Sequence, residues 1–282
     1  MYTIYSILLT VGFILMSPVF LIRRKKYATG FRQRLGQLPE FKQDMRSVIW
    51  LHCVSVGEVN AARSLVDGIH REFPNFRLII STTTRTGNEL ASAIFSDSAE
   101  CVFYFPFDWR FSVRRALKNF KPGIVLLMET EIWFNFIREA SRSGAFVAIV
   151  NGRLSERSAR GYTRIRNFIK RVFRRVDLAL MQSEDDAERI AGLGMRQSKI
   201  KVTGNLKFDQ RQSETDLTRE LRERVFVSEN SPLSVAASPD ALLESMSSSD
   251  CSPARASPIR PAICCTAPAI DAAIERAVAA RD

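Results

Sequence analysis

The sequence predicts an α/β domain built on a parallel sheet with helices on both faces. Apolar strands alternate with amphipathic helices at a period of about 25 residues, the rhythm of repeated βα units. The first strand, Val48 to Val54, is rich in β-branched residues, as expected of a strand covered on both faces. Polar and small residues follow each strand, and ligands bind at the carboxyl edge of such sheets. The same pattern therefore predicts both the fold class and the side on which a site lies.

The chain has 282 residues, 46% hydrophobic and 25% charged, which is enough for one large or two ordinary globular domains. The predicted strands are Val48 to Val54, Arg77 to Thr82, Cys101 to Phe105, Gly123 to Met128, Ala145 to Val150, Asp177 to Gln182 and Lys199 to Thr203. The segments after them read SVGE, STTTRTGN, PFD, ETE, NGRLSE, SEDD and GNLKFD. We expect these segments to build a cleft at the carboxyl edge.

The turn after the first strand presents a single carboxylate. Ser55, Val56 and Gly57 interrupt the strand, and Glu58 then opens a segment in which Ala61, Leu65, Ile69 and Phe73 recur at helical spacing. Glu58 is therefore predicted in the first turn of a helix at a strand's carboxyl end. Two interpretations are open at this point: a functional acid, or a glutamate that only caps the helix.

The amino terminus predicts a membrane anchor. Residues Ile4 to Ile22 are mainly apolar and span about 28 Å as a helix. Arg23, Arg24, Lys25 and Lys26 follow directly, so we expect residues 1–26 to be an uncleaved anchor whose basic flank keeps the body of the protein cytoplasmic. Polar interruptions leave open a helix that lies in the membrane interface instead. Residues 27–46 are expected to be a basic linker.

Charge and motifs narrow the classes of function. The formal net charge is +11, concentrated in residues 23–46 and 153–175, which indicates an anionic partner such as a membrane surface, unless these are only solvated helix faces. No RNA-binding motif or helix-turn-helix supports a nucleic-acid partner. No GxGxxG or P-loop is present, and neither the five cysteines nor the two histidines suggest a metal site. We therefore expect no cofactor and no metal, and we expect His52 to be a core residue.

The composition changes from about Val227. Residues 239–282 are rich in Ser, Ala and Pro and show no βα rhythm, so we expect a low-complexity, disordered tail. Residues 213–238 are expected to hold a helix and then the beginning of a second domain.

Six strings, in this order and spacing, resemble one family: HCVSVGEVNAA, STTTRTGNE, METEIWFNFIREA, NGRLSERSARGY, QSEDDAERIAGLG and KVTGNLKFD. The chain resembles the 3-deoxy-D-manno-octulosonic acid (Kdo) transferases of lipopolysaccharide synthesis, which are membrane-anchored glycosyltransferases of the two-domain GT-B fold. The resemblance implies that residues 47–212 form the Rossmann-like, acceptor-binding amino-terminal domain. It also implies an inner-membrane location.

The resemblance further implies transfer of Kdo from CMP-Kdo to the lipid A precursor, with inversion and without a metal. On the matching motifs, Glu58 is the catalytic base, and Glu129 and Lys207 support the transition state. Apart from the resemblance, Glu129 or Glu131 could equally be an acid that only caps the start of a helix. Because a helix amino terminus favours an ionised carboxylate, we expect Glu58 to be ionised. Lys207 would supply a fixed positive charge near the departing phosphate or the Kdo carboxylate.

The resemblance becomes thin towards residue 238. SPLSVAAS resembles the first strand of the donor domain, but the GGS segment and the acidic stretch expected later are not found, as after a truncation or a frame change. We therefore expect the acceptor half without the donor half, and a chain that is inactive as it stands. The alternative is a non-catalytic, membrane-associated module that binds anionic lipid.

Overall fold

The computed structural model describes residues 1–22 and 29–206. The strands of this part of the chain are β1 (Val48–Cys53), β2 (Arg77–Thr82), β3 (Cys101–Tyr104), β4 (Ile124–Met128), β5 (Phe146–Gly152), β6 (Leu178–Met181) and β7 (Ile200–Val202). The α-helices are α1 (Tyr2–Ile22), α2 (Phe31–Arg34), α3 (Val56–Ala61), α4 (Arg63–Glu72), α5 (Arg85–Ile94), α6 (Arg110–Phe120), α7 (Phe134–Arg142), α8 (Glu156–Thr163), α9 (Arg166–Phe173) and α10 (Glu184–Gly192). Each predicted strand is observed, with ends that differ by two residues or fewer.

The strands form one parallel sheet in the order β3-β2-β1-β4-β5-β6-β7. The first strand, β1, lies inside the sheet. β2 and β3 are added on one side of β1, and β4 is then added on its other side. The predicted Rossmann-like parallel sheet is confirmed. The reversal of direction between β1 and β4 is a topological switch point, where the loops after the two strands diverge and leave a crevice.

Helices cover both faces of the sheet because successive strand residues point to opposite sides. On one face, Trp50 and Leu127 pack with Val113 of α6, Phe136 of α7 and Ile169 of α9. The other face buries a separate set of residues against α3, α4 and α5, namely Ile49, Leu51, Leu126, Val59, Leu65 and Ala91. Burial on both sides explains why the strands read as continuous apolar runs.

The segment expected to be a linker is packed from residue 29 onwards. The Gln33 side chain accepts a hydrogen bond from the backbone N–H of Tyr104 at 2.9 Å. The Phe41 ring contacts Phe120, with 5.1 Å between centroids, and the Arg77 guanidinium lies 3.9 Å from the Phe41 centroid. Residues 29–46 therefore form part of the domain surface beside the β3 edge of the sheet.

Helix α1 is, within residues 1–22 and 29–206, the one helix that is long and apolar enough to cross a membrane, judged by length and composition. Other predictions fall on residues that the structure does not describe. These are the basic flank at 23–26, the first two residues of the linker at 27–28, the site residue Lys207, the helix and the beginning of a second domain at 213–238, and the tail at 239–282.

Candidate active site at the switch point of the sheet

The switch point brings two acidic segments to the same crevice. Glu58 follows β1, and Glu129 and Glu131 follow β4, which is the immediate neighbour of β1. The charges of Glu129 and Glu131 act on Glu58 strongly enough to change its pKa. Two of the three predicted site residues, Glu58 and Glu129, therefore lie at one site. The third, Lys207, lies just beyond the described residues.

The Glu58 side chain is buried, with only 5% of its surface exposed. Its Oε2 atom accepts a hydrogen bond from the backbone N–H of Val54 at 2.8 Å, and the Ser55 hydroxyl donates to its Oε1 atom at 3.4 Å. In a capping box the glutamate accepts from the backbone N–H of the N-cap residue, here Ser55, whereas Glu58 accepts from the N–H of Val54, one residue earlier. The contacts with Val54 and Ser55 tie the helix start to the end of β1 and hold the carboxyl group in one position.

Burial raises the pKa of Glu58 to about 8, and repulsion from Glu129 and Glu131 adds to this effect. The hydrogen bonds from Val54 and Ser55 act in the opposite direction but are weaker than the cost of desolvation. The expectation that the helix amino terminus keeps Glu58 ionised was therefore wrong. A helix of six residues cannot offset the loss of hydration of a carboxylate buried beside two others.

Glu129 has a strained backbone. Its φ angle is +54°, in the left-handed region that residues other than glycine seldom adopt. A hydrogen bond from its N–H to the carbonyl oxygen of Val150, at 2.9 Å, holds this conformation at the end of β4. Left-handed backbone costs about 1 kcal/mol or more in a non-glycine residue. Lys121 and Asn151 also have positive φ angles, so Glu129 is distinguished by having this strain next to the predicted base.

Neighbouring Glu131 is half-buried, and burial together with the charge of Glu129 raises its pKa. The sequence analysis noted Glu131 only as an alternative helix-start residue. Glu131 belongs to the site because its charge acts on Glu58 and is itself affected by Glu129. Its position two residues after Glu129 is the feature of the sequence that could have revealed it.

The STTTRTGN segment supports the Glu58 turn through Gly87. A Cβ atom at Gly87 would lie 2.7 Å from the Thr84 hydroxyl oxygen and 3.3 Å from the backbone carbonyl carbon of Ser55. Thr84 caps α5 by accepting a hydrogen bond from the N–H of Gly87 at 3.1 Å. A glycine at this position therefore lets the first turn of α5 pack directly against the backbone that carries Glu58.

Arg34 is a cation that the sequence analysis did not select. Its guanidinium donates a 2.5 Å hydrogen bond to the carbonyl oxygen of Thr83, after β2, and lies 4.8 Å from the ring centroid of Tyr104. Burial lowers the pKa of Arg34. The residue lies in the segment that was expected to be a basic linker, so the sequence analysis did not place this charge at the carboxyl edge.

His52 is a core residue, as expected. Its ring stacks on Phe105 with 3.8 Å between centroids, and its Nδ1 atom lies 2.9 Å from the Ser81 hydroxyl. Burial lowers the pKa of His52 to about 3, so the ring is neutral at physiological pH. His52 thus stabilises the sheet beneath the site and is not a proton carrier near neutral pH.

The approach to Lys207 is fixed at the same edge. Leu206 is buried, and its N–H donates to the side-chain oxygen of Asn151 at 3.1 Å. Asn151 follows Val150 in β5 and, like Glu129, has a positive φ angle. The chain therefore reaches position 206 beside the strand end that also holds Glu129.

In the described parts of the chain, no group of three or more His, Cys, Asp or Glu side chains is arranged to hold a metal ion. The expectation of a site without metal or cofactor stays a prediction.

A Rossmann-like sheet with a buried acid at its switch point is an arrangement in which ligand sites are built. The family model for 3-deoxy-D-manno-octulosonic-acid transferase matches residues 29–210, and the chain belongs to this family. The match excludes α1 and begins with the segment that packs beside β3.

Curated relatives agree with the family. A 3-deoxy-D-manno-octulosonic acid transferase of Haemophilus influenzae is 33% identical over 212 residues, which cover 74% of this chain and 49% of the relative. The enzyme of the same name from Chlamydia pneumoniae is 29% identical, covering 83% and 55%. A bifunctional glycosyltransferase/methyltransferase of Fusobacterium nucleatum is 34% identical, covering 72% and 31%. The chain thus spans about half or less of the length of these relatives.

Among solved structures, a UDP-GlcNAc 2-epimerase from Neisseria meningitidis aligns with a TM-score of 0.46 at 14% identity, covering 66% of this chain and 56% of the other.

Proposed function

We propose that this chain is the acceptor-binding half of an inverting glycosyltransferase that transfers Kdo from CMP-Kdo to the lipid A precursor in lipopolysaccharide synthesis. The observation that carries the proposal is Glu58, a buried carboxyl group of raised pKa at the switch point of a Kdo transferase domain. The curated relatives are Kdo transferases, which supports Kdo as the transferred sugar. CMP-Kdo as donor and the lipid A precursor as acceptor are part of the proposal and come from the resemblance to the family.

In the proposed reaction, Glu58 acts as the general base. Its carboxylate takes the proton from the acceptor hydroxyl while the hydroxyl oxygen forms a bond to the anomeric carbon of Kdo. The bond from that carbon to the phosphate oxygen breaks on the opposite face, and CMP leaves with the electron pair. A base works best when its pKa is near the working pH, and the pKa of about 8 fits this requirement.

Glu129 and Lys207 have supporting roles in this proposal. The negative charge of Glu129 raises the pKa of Glu58 and so makes it a stronger base. Lys207 follows Leu206, whose N–H is bound at the carboxyl edge, and its ammonium group would stabilise charge that develops on the departing phosphate.

We also propose that α1 attaches the protein to the cytoplasmic face of the inner membrane, where its lipid acceptor is found. The exposed apolar side chains of α1 support this assignment, among them Ile7, Leu8, Ile14 and Leu15.

A transfer assay with labelled CMP-Kdo and lipid A precursor tests the proposal. Residues 1–282 by themselves are expected to show no turnover, because they cover only about half the length of the curated transferases. A chimera that joins residues 1–206 to the remaining carboxyl-terminal half of the Haemophilus influenzae relative is expected to restore transfer. Turnover by residues 1–282 at the level of that intact relative would refute the assignment as a half enzyme.

A second candidate function is a non-catalytic module that binds anionic lipid. The observation in its favour is the exposure of the basic residues between 153 and 175, which include Arg153, Arg157, Arg164, Arg166 and Arg171. Lipid binding does not require Glu58. A chimera that binds anionic vesicles but never transfers Kdo would favour this candidate.

Substitution of Glu129 by glycine distinguishes the backbone strain at this residue from the effect of its charge on Kdo transfer. Glu129→Gly removes the cost of the left-handed backbone, so we expect the free energy of unfolding to stay unchanged or to rise by about 1 kcal/mol. Transfer by the chimera should fall at least tenfold, because the charge that makes Glu58 a stronger base is lost. Lys121→Gly is the control, since Lys121 has a φ angle of +45° but lies at the end of α6, just before β4, at the amino ends of the strands. Equal loss of activity in both variants would contradict a functional role for Glu129.

A further inference from the structure

Helix α1 has two different faces. One face is half-buried at positions that recur every three or four residues, namely Tyr2, Tyr5, Ser6, Leu9, Phe13 and Ser17. The opposite face exposes a continuous apolar stripe made of Ile4, Ile7, Leu8, Val11, Ile14 and Leu15. A helix surrounded by lipid has no need of such a division.

Polar side chains hold the half-buried face to the domain. The Tyr5 hydroxyl donates to Asp108 Oδ2 at 2.9 Å, and the Asn135 side-chain amide donates to the Ser6 hydroxyl at 3.1 Å. One turn further on, the indole N–H of Trp109 donates to the Thr10 hydroxyl at 3.0 Å. Two of the polar residues that interrupt the apolar stretch, Ser6 and Thr10, thus have partners in the domain.

Aromatic contacts extend this docked surface along the helix. The Tyr2 ring meets Phe168 of α9, with 5.0 Å between centroids, and the Phe13 ring meets Trp109 at 4.9 Å. Residues 2 to 13 are therefore in contact with the domain over about 16 Å of helix axis.

The docked residues include the first turns of the helix, and this is incompatible with a spanning orientation. If α1 crossed the bilayer with its amino end outside, Tyr5 and Ser6 would lie deep in the membrane or beyond it. Asp108 and Asn135, which are 2% and 0% exposed within the domain, would have to follow them. A polar domain does not enter hydrocarbon, so spanning requires that all three hydrogen bonds break.

We propose that α1 lies in the plane of the membrane surface, with its apolar stripe in the lipid and its other face docked on the domain. The partner is an anionic bilayer surface. The Arg138 guanidinium lies 4.4 Å from the Tyr2 ring centroid, beside the docked surface, and α9, the helix that contributes Phe168, carries the exposed cations Arg166, Lys170 and Arg171. Basic residues beside an apolar helix face are typical of helices that lie in the interface.

This orientation lays the candidate site against the membrane. Asp108 and Trp109 belong to the loop after β3, and Asn135 is the second residue of α7, which follows the loop that carries Glu129 and Glu131. The helix is thus docked on the carboxyl edge of the sheet. The inference goes beyond the proposed function, and its tests measure topology and hydrogen exchange, so they succeed or fail independently of Kdo transfer.

The first test locates the amino terminus. The full chain, with an epitope tag before Met1, is expressed in a Gram-negative host, and the tag is exposed to protease in intact spheroplasts and in inverted membrane vesicles. An in-plane helix leaves the tag protected in spheroplasts and cleaved in inverted vesicles. Cleavage in spheroplasts would show that α1 spans the membrane and would overturn the proposal.

The second test asks whether the docked contacts persist on lipid. Amide hydrogen exchange of the full chain is measured on vesicles that contain anionic phospholipid. Tyr5→Phe, which removes the donor to Asp108, should speed exchange several-fold in residues 2–13 and at the beginning of α7. Tyr2→Phe is the matched control, because the Tyr2 hydroxyl has no hydrogen-bond partner in the structure and its loss should change nothing. Unchanged exchange in Tyr5→Phe, or a chain that pairs through the stripe as a dimer and ignores vesicles, would refute the in-plane helix.

Discussion

Replacing Glu58 by glutamine is expected to lower Kdo transfer by the chimera by about 10²- to 10⁴-fold, the usual contribution of a general base. Glutamine keeps the shape of the side chain and accepts the hydrogen bond from Val54, but it cannot take a proton from the acceptor hydroxyl. Labelled Kdo transferred to the lipid A precursor is the readout. Full activity of Glu58→Gln would remove Glu58 from the reaction.

The pH dependence gives a second readout of the same residue. Because the pKa of Glu58 is about 8, transfer at limiting substrate should rise with pH up to about 8 and then level off, and the residual activity of Glu58→Gln should lack this rise. Stability should show the opposite trend. A carboxyl group whose pKa is higher in the folded state stabilises it most below about pH 4 and loses that contribution as the pH rises through 8. Glu58→Gln should therefore weaken the decline in stability between pH 5 and 8.

Removing the Asp108 carboxyl group should have the largest effect on stability. Its two oxygens accept hydrogen bonds from the backbone N–H groups of Asn135 at 3.0 Å and Phe136 at 2.7 Å, and from the Tyr5 hydroxyl. Asp108→Ala leaves three donors without an acceptor in a buried environment, so we expect a loss of about 3 kcal/mol or more. Urea denaturation of the full chain in detergent measures this. Asp97→Ala, at an exposed aspartate, is the control and should change stability by less than about 0.5 kcal/mol.

Asp108 also makes stability depend on pH. Burial raises its pKa to about 7 although its three hydrogen bonds act in the opposite direction. Its contribution to stability is thus complete below about pH 4 and is lost as the pH rises through 7. The destabilisation caused by Asp108→Ala, relative to the wild type, should be larger at pH 5 than at pH 8. An effect of Asp108→Ala that is the same at pH 5 and pH 8 would mean that Asp108 is ionised throughout this range.

The strands and Glu58 could be predicted because each depends on local sequence. A strand buried on both faces must be apolar along its length. The turn SVGE marks the carboxyl end of that strand and the start of the next helix, and ligands bind at this edge of a parallel sheet. The order of the strands, and with it the adjacency of Glu58 and Glu129, is a property of the tertiary fold. The resemblance to a family gave these two residues together, whereas their spacing in the sequence gave no such indication.

The residues that the sequence did not reveal owe their roles to distant contacts. Arg34 reaches the carboxyl edge because residues 29–46 pack against β3. Asp108 is important for stability because it binds Tyr5 of α1, a residue far away in the sequence. The raised pKa of Glu58 is likewise a result of burial beside two other acids, which no single segment encodes. Local pattern identifies the acid, and the tertiary environment decides whether it can act as a base.

The lengths of the outer strands have a consequence for synthesis. The sheet ends in short strands, β3 with four residues and β7 with three, and β3 is bordered by residues 29–46. Short or covered edges present little unpaired backbone to other chains. The domain can therefore complete its sheet as it leaves the ribosome, with α1 already made, before any later part of the polypeptide is available. A nascent chain of this kind is protected against edge-to-edge aggregation while translation continues.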